Sequence, residues 1–177
     1  VGKVMTNNFE ASKQLGAELI CAGYQQLLLI SRTTVDISAQ VPRIEGFKQT
    51  VTGTTATVTE LNLAGHPENW LTQQIQHYNA NGSKKTAIIS LMGPLLFRTL
   101  AALQELKLTF PAQIGLASFD DWDWSKFVNG GIDLMQQDPK EIGRRAATMI
   151  LASIEDPHGT KPSTKLIPAT RVDGHSF

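Results

Sequence analysis

Little in this sequence favours covalent chemistry or a charged partner. Cys21 is the only cysteine, which excludes an internal disulfide and fits a reducing, cytoplasmic setting. Lys plus Arg number 16 and so do Asp plus Glu, for a formal net charge of zero. That balance offers no basic surface of the kind that nucleic acid or an anionic membrane attracts. Apolar runs stop far short of the roughly 20 residues of a membrane-spanning helix, and no secretory signal is read at the N-terminus. The phosphate-binding loop, the dinucleotide-binding glycines, the nucleophile elbow and the H-E-x-x-H zinc motif are all missing. One Cys and four scattered His give a zinc site little support. No enzyme activity and no cofactor are expected. There is no low-complexity tract and no short internal repeat.

What is present is an alternation of strand and helix signals. Residues 1–6 are β-prone. Asn7 or Asn8 can cap a helix carrying Ala11, Leu15, Leu19 and Ile20, stopped by Gly23. The run "QLLLIS" (26–31) suits a strand buried on both faces. A helix follows from about 42 to 51, then a β-branched strand over 55–61 and a helix through Trp70, Ile75 and Tyr78. "TAIISLM" (86–92) is a strand, and Pro94 opens a helix with Leu96, Leu100, Leu103 and Leu106. "IGLASF" (114–119) and "IDLMQ" (132–136) are strands. Asp138, Pro139 and Glu141 form a capping-box variant ahead of a stripe of Ile142, Ala146, Ile150 and Ile154. "TKLIPATRV" (164–172) reads as one closing edge strand with Pro168 inside it. The alternation from 26 to 119 predicts an α/β fold, doubly wound around parallel sheet with right-handed crossovers. Residues 1–22 and the helix over 138–155 need not belong to the same sheet.

In an open parallel sheet, ligands bind beyond the carboxyl ends of the strands. That rule selects Asn7 and Glu10, the stretch from Ser31 to Arg43, Gly65 and His66, Met92 and Gly93, and Asp120 to Trp124. Carboxylates and Arg hydrogen-bond hydroxyl pairs, and an indole covers the apolar face of a sugar ring. Each also fits an ordinary role. Asp120 or Asp121 can cap the next helix, Asp123 can face solvent, and one of Trp122 and Trp124 can be packing. Arg43 can form a surface ion pair, and His66 can be a loop residue. An acidic pair at a strand end can also hold Mg²⁺ for phosphotransfer. That site wants a further Asp and a Lys at neighbouring strand ends, where Met92 and Gly93 stand.

Four stretches, in order and across nearly the whole chain, resemble the effector-binding domain of lactose-repressor (LacI) type transcriptional regulators. "TNNFEASKQLGAELICAGYQQLLLIS" is similar to the family's D-N-x-x-E/G-A/G helix and the strand after it. "SAQVPRIEGFKQTV" is similar to S-x-x-x-R-x-x-G-F/W. "IGLASFDDWDW" resembles the strand end that closes on G-F/Y-D-D. "IDLMQQDPKEIGRRAATMIL" resembles T-T-V/I-x-Q-D/P-x-x-E/D-I/L-G-x-x-A.

The resemblance implies a periplasmic-binding-protein-like, two-lobed domain whose N-terminal lobe is incomplete here. Residues 1–22 and 137–163 would form part of that lobe, and 23–136 with 164–177 the other. The DNA-binding head would lie outside this chain, which starts at Val1 without Met and is expected to be a piece of a longer protein. The effector would be a sugar, sugar acid or sugar phosphate in the cleft. It would change the affinity of a homodimer for operator DNA, with no membrane partner. By the same resemblance Asp120 and Arg43 would contact the effector, Glu10 would face the cleft and Gln137 would reach it from a crossover. Trp122 is the indole nearer the strand end, and Asn7, His66 and Met92 complete the expected site. Two positions depart from the family. Met92 and Gly93 replace its Asn-Asp after the fourth strand, making the pocket more apolar, and Thr6 stands where its first Asp is usual. The alternative is a free-standing periplasmic-type sugar-binding protein of a transport system, which shares the fold.

Overall fold

The computed structural model describes residues 2–33, 39–80, 82, 84–120, 123–156 and 162–177. Two sheets organise them. The larger is built from β2 (Gln26–Ser31), β3 (Thr57–Asn62), β4 (Thr86–Ser90), β5 (Gly115–Phe119), β6 (Asp133–Gln136) and β8 (Thr170–Val172), in the order β3-β2-β4-β5-β6-β8. All neighbours are parallel except β6 and β8. The smaller sheet is a parallel pair of β1 (Lys3–Thr6) and β7 (Thr164–Ile167).

Alternation along the central strands explains the layers. Leu27 and Leu29 point to one face, with Ala11, Leu15 and Leu19 of α1 (Asn8–Cys21) and Ile44 and Phe47 of α2 (Gln40–Val51). Leu28 and Ile30 point to the other, with Leu71 and Ile75 of α3 (Trp70–Ala80) and Leu95, Leu96 and Leu103 of α4 (Gly93–Glu105). A strand covered on both faces has no reason to carry polar residues, which is why "QLLLIS" reads as one apolar run. The chain is therefore an α/β domain, doubly wound around a parallel-dominated sheet. The order reverses at β2: β3 lies on one side and β4 on the other, so the helices after β2 and β4 cover opposite faces. In open α/β sheets such a switch point is where a ligand crevice lies, at the carboxyl ends of those strands.

The expected strand over 164–172 is two strands in different sheets. Pro168 has no N–H to continue a ladder, and there the chain leaves β1 for β6. Asn7 occupies the cap position of α1 without a side-chain cap bond. Asp138 does cap α5 (Pro139–Glu155), accepting a hydrogen bond from the Glu141 N–H at 2.8 Å. This last helix packs on β1 and β7 yet buries no residue fully. No helix among the described residues is long and apolar enough to cross a membrane.

Candidate functional site

Arg43 anchors the crevice. It sits in the first turns of α2 and is 2% exposed. Its Nε donates to Asn8 Oδ1 at 2.7 Å and its Nη1 donates to the Leu91 carbonyl beyond β4. The guanidinium lies 4.2 Å from the centroid of the Phe119 ring, a stacking that suits its flat, weakly hydrated cation. Nη2 is buried and has no hydrogen-bond partner among the described residues. Burial pushes the Arg43 pKa down to about 10, while the charge of Asp120 works against that shift. The group is thus charged at neutral pH, bound to neutral acceptors, and without an acceptor for Nη2 among the described residues.

Asp120 follows β5 directly. Its backbone φ of +147° is one that side chains rarely adopt. Its N–H donates to the Met135 carbonyl at 3.2 Å. Oδ2 accepts from the Gly93 N–H at the start of α4, and Oδ1 accepts from Gln137 Nε2 at 2.8 Å. Gln137 Oε1 in turn accepts from Thr6 Oγ1 at 2.9 Å. A carboxylate at a helix N-terminus meets the positive end of the helix dipole. Gly93 thus supplies the backbone donor that its missing side chain does not preclude.

Met92, half-buried at the cap position of α4, accepts through Sδ from Gln40 Nε2 at 3.2 Å. Gln40 also accepts from the Arg32 N–H at 3.0 Å, so a buried amide ties the end of β2 to the start of α4.

Asp120, Gln137, Arg43 and Met92 therefore gather at the strand ends around the crevice. Glu10 stands apart: it is exposed and pairs with Lys13 at 3.7 Å. Asn7 accepts from the Ala169 N–H at 2.7 Å and serves a chain crossing. His66 is exposed in the loop after β3, stacked on Trp70 with centroids 3.9 Å apart. Trp122 and Asp121 lie outside the described residues. Asp123 is exposed beside Lys126, and Trp124 stacks on Phe97 with centroids 4.7 Å apart. Among the described residues no three His, Cys, Asp or Glu side chains group to hold a metal.

Asn8 was not among the site residues expected from sequence; Gln40 fell within the stretch from Ser31 to Arg43 without being singled out, and Thr6 was noted only as a departure from the family. Asn8 carried a usable signal. It is 3, 4, 7 and 11 residues before Ala11, Ser12, Leu15 and Leu19, all buried, so it belongs to the buried stripe of α1. Glu10 falls on the opposite side by the same count. Gln40 precedes the first apolar repeat of α2 and had no such signal.

A family model described as a periplasmic binding protein-like domain matches residues 17–177. The HTH-type transcriptional regulator KdgR of Bacillus subtilis is 25% identical over 166 residues, 92% of this chain and 49% of that regulator. A probable opine utilization operon repressor of Rhizobium rhizogenes is 21% identical over 175 residues, 94% of this chain and 88% of that protein. The chain thus spans about half the length of the Bacillus regulator and most of the Rhizobium one. A LacI family transcriptional regulator from Enterococcus faecium, solved with bound ribose, superposes with a TM-score of 0.79 at 20% identity. The match covers 99% of this chain and 65% of that one.

Proposed function

Because the chain belongs to the periplasmic binding protein-like domain family, as the effector-binding domain of LacI-type transcriptional regulators, we propose that it senses a sugar or sugar-derived ligand in the crevice around Arg43 and Asp120. The observation that carries this reading is Arg43. A buried guanidinium with an N–H unmet by the described residues costs free energy unless something else satisfies it, and a ligand oxygen is a suitable acceptor. Asp120 lies near enough for its charge to act on Arg43, so a polyol can bridge cation and carboxylate through neighbouring hydroxyls. Met92 adds an apolar surface beside them. The bound ribose of the Enterococcus regulator supports a sugar-like effector.

Binding modulates operator affinity through a DNA-binding head on the longer protein, as a cytoplasmic homodimer. The ligand acts by its differential affinity for two arrangements of the lobes. We draw the lobe boundary at Thr6–Asn7 rather than at residue 22, because α1 packs with α2 on the large sheet. On this division β1, α5 and β7 are the part of the second lobe present here.

Calorimetry of the full-length regulator against neutral sugars, sugar acids and sugar phosphates tests the site. Asp120→Asn should weaken the ligand that binds by about 1.5–3 kcal/mol, the scale of a charged hydrogen bond. Arg43→Ala should weaken it at least as much, and Asp123→Asn should change little. Loss of binding in Asp123→Asn with Asp120→Asn unaffected would move the site elsewhere.

A further inference from the structure

The chain passes between the small and the large sheet three times, at Thr6–Asn7, between Gln136 and Asp138, and between Ile167 and Ala169. The first and third crossings are bound to each other. Asn7 donates its N–H to the Ile167 carbonyl at 2.9 Å, and its Oδ1 accepts from the Ala169 N–H at 2.7 Å. Gln137 binds the second crossing to the first by the 2.9 Å bond to Thr6, and the same amide reaches Asp120 at 2.8 Å.

We propose that Gln137 is a positioning residue, relaying the state of the Asp120 carboxylate to the small sheet through Thr6. The chemistry gives the relay one direction. An ionised carboxylate only accepts, so the NH₂ end of Gln137 must face Asp120. Its carbonyl end then faces Thr6, which must donate. Turning the amide over would set two acceptors against each other at the Asp120 end. Anything that takes Asp120 Oδ1 as its own acceptor competes with Gln137 Nε2. Once released, Gln137 no longer holds its carbonyl against Thr6, and the second crossing loses this tie to the first. A ligand hydroxyl is the competitor if Asp120 binds the effector, and that clause alone rests on the proposed function. Small-sheet stability makes the relay consequential: among the described residues that sheet has two strands with α5 packed on them, so each tie at a crossing matters.

The test needs no ligand. Hydrogen exchange is followed at the amides of Lys3–Thr6 and Thr164–Ile167 in the full-length protein. Thr6→Val and Asp120→Ala should each accelerate exchange in both strands about fivefold, the factor for one net hydrogen bond. The double variant should exchange no faster than either single one, and Thr6→Ser, which keeps the hydroxyl, should match the parent chain. Should Asp120→Ala disrupt the large sheet, Gln137→Ala is read in the same way. The relay is overturned if neither Asp120→Ala nor Gln137→Ala alters small-sheet exchange. It is equally overturned if the single effects multiply in the double variant, or if these amides are unprotected in the parent chain. Failure of the proposed effector site leaves this exchange pattern standing, so the two ideas fail separately.

Discussion

At the scale of single residues, a buried arginine and a half-buried one solve one problem in opposite ways. Arg171 has its charge met: Nε reaches Glu18 at 2.6 Å and Nη2 reaches Asp133 at 2.6 Å. Among the described residues Arg43 is offered neutral acceptors only, and its Nη2 has no partner. The first arrangement is structural, and the second is the one on which the proposed ligand site rests. Asp133 closes the structural knot. It accepts from Arg171, from the Gly174 N–H at 3.1 Å and from the N–H and Oγ of Ser176 at 2.9 and 3.0 Å, pinning the C-terminal segment to β6. Burial opposes ionisation of Asp133, yet the Arg171 and backbone hydrogen bonds prevail and hold its carboxyl below the ordinary value. A carboxyl depressed in the fold adds stability that is complete above the unfolded value near 4 and disappears as pH falls through the folded value. Asp133→Asn should therefore cost about 3–5 kcal/mol at pH 7, the range for removing one partner of a buried ion pair. Denaturation measured from pH 7 to 2 should also show a shallower acid loss in the variant than in the parent. Parallel acid profiles would mean that Asp133 is not the group responsible.

At the scale of elements, the crevice depends on how closely α1 and α2 approach, because Asn8 on one holds Arg43 on the other. Gly46 permits that approach. A Cβ there would sit 2.5 Å from the Phe9 carbonyl oxygen and 2.7 Å from Ser12 Cβ, and the backbone atom cannot turn aside. Gly46→Ala should destabilise the chain by about 1–3 kcal/mol, the cost of overpacking, and should weaken ligand binding by displacing Arg43 from Asn8. Chemical denaturation reads the first effect; an unchanged midpoint would mean that the helices separate freely. Most elements were legible in the sequence because two-sided burial and helix punctuation leave strong local marks. The run over 26–31, Pro94 at the start of α4 and the Asp138 cap of α5 are examples. What local pattern could not carry was partnership. Nine β-prone residues from 164 to 172 look like one strand, because nothing local says that the two halves pair with strands far apart in sequence. Asn7 looked like the polar residue of the site, although the helical register pointed to Asn8. The strand-end rule selected Asp120 and Met92, which the fold sets at neighbouring strand ends, whereas Gln40, which bonds Met92, lay in a selected stretch with nothing local to single it out.

At the scale of the whole molecule, the two sheets are unequally finished. The large one has helices on both faces, whereas the small one has α5 on it and an apolar groove of about 630 Å³ beside it, lined by Val4, Ala146, Met149 and Ile150 among others. Periodicity marked Ile142, Ala146, Ile150 and Ile154 as one stripe, since spacing reports a face and not what covers it. In the fold Ile150, Leu151, Ile154 and Leu166 are 57–67% exposed. Apolar side chains grouped in this way are uncommon on a stable monomer, and the two-stranded sheet beside them presents strand edges that invite pairing. The 177-residue chain should accordingly self-associate as its concentration rises, with the average mass from light scattering growing above that of one chain. Ile150→Lys combined with Ile154→Lys should suppress the growth by placing two charges on the stripe. Neither side chain belongs to the large-sheet core. The unfolding free energy of that sheet should therefore stay within about 0.5 kcal/mol of the parent, as for other surface changes. If the parent chain stays a single species of constant mass across the concentration series, the stripe is not adhesive. Its exposure would then be tolerated by this fold without help from a neighbour.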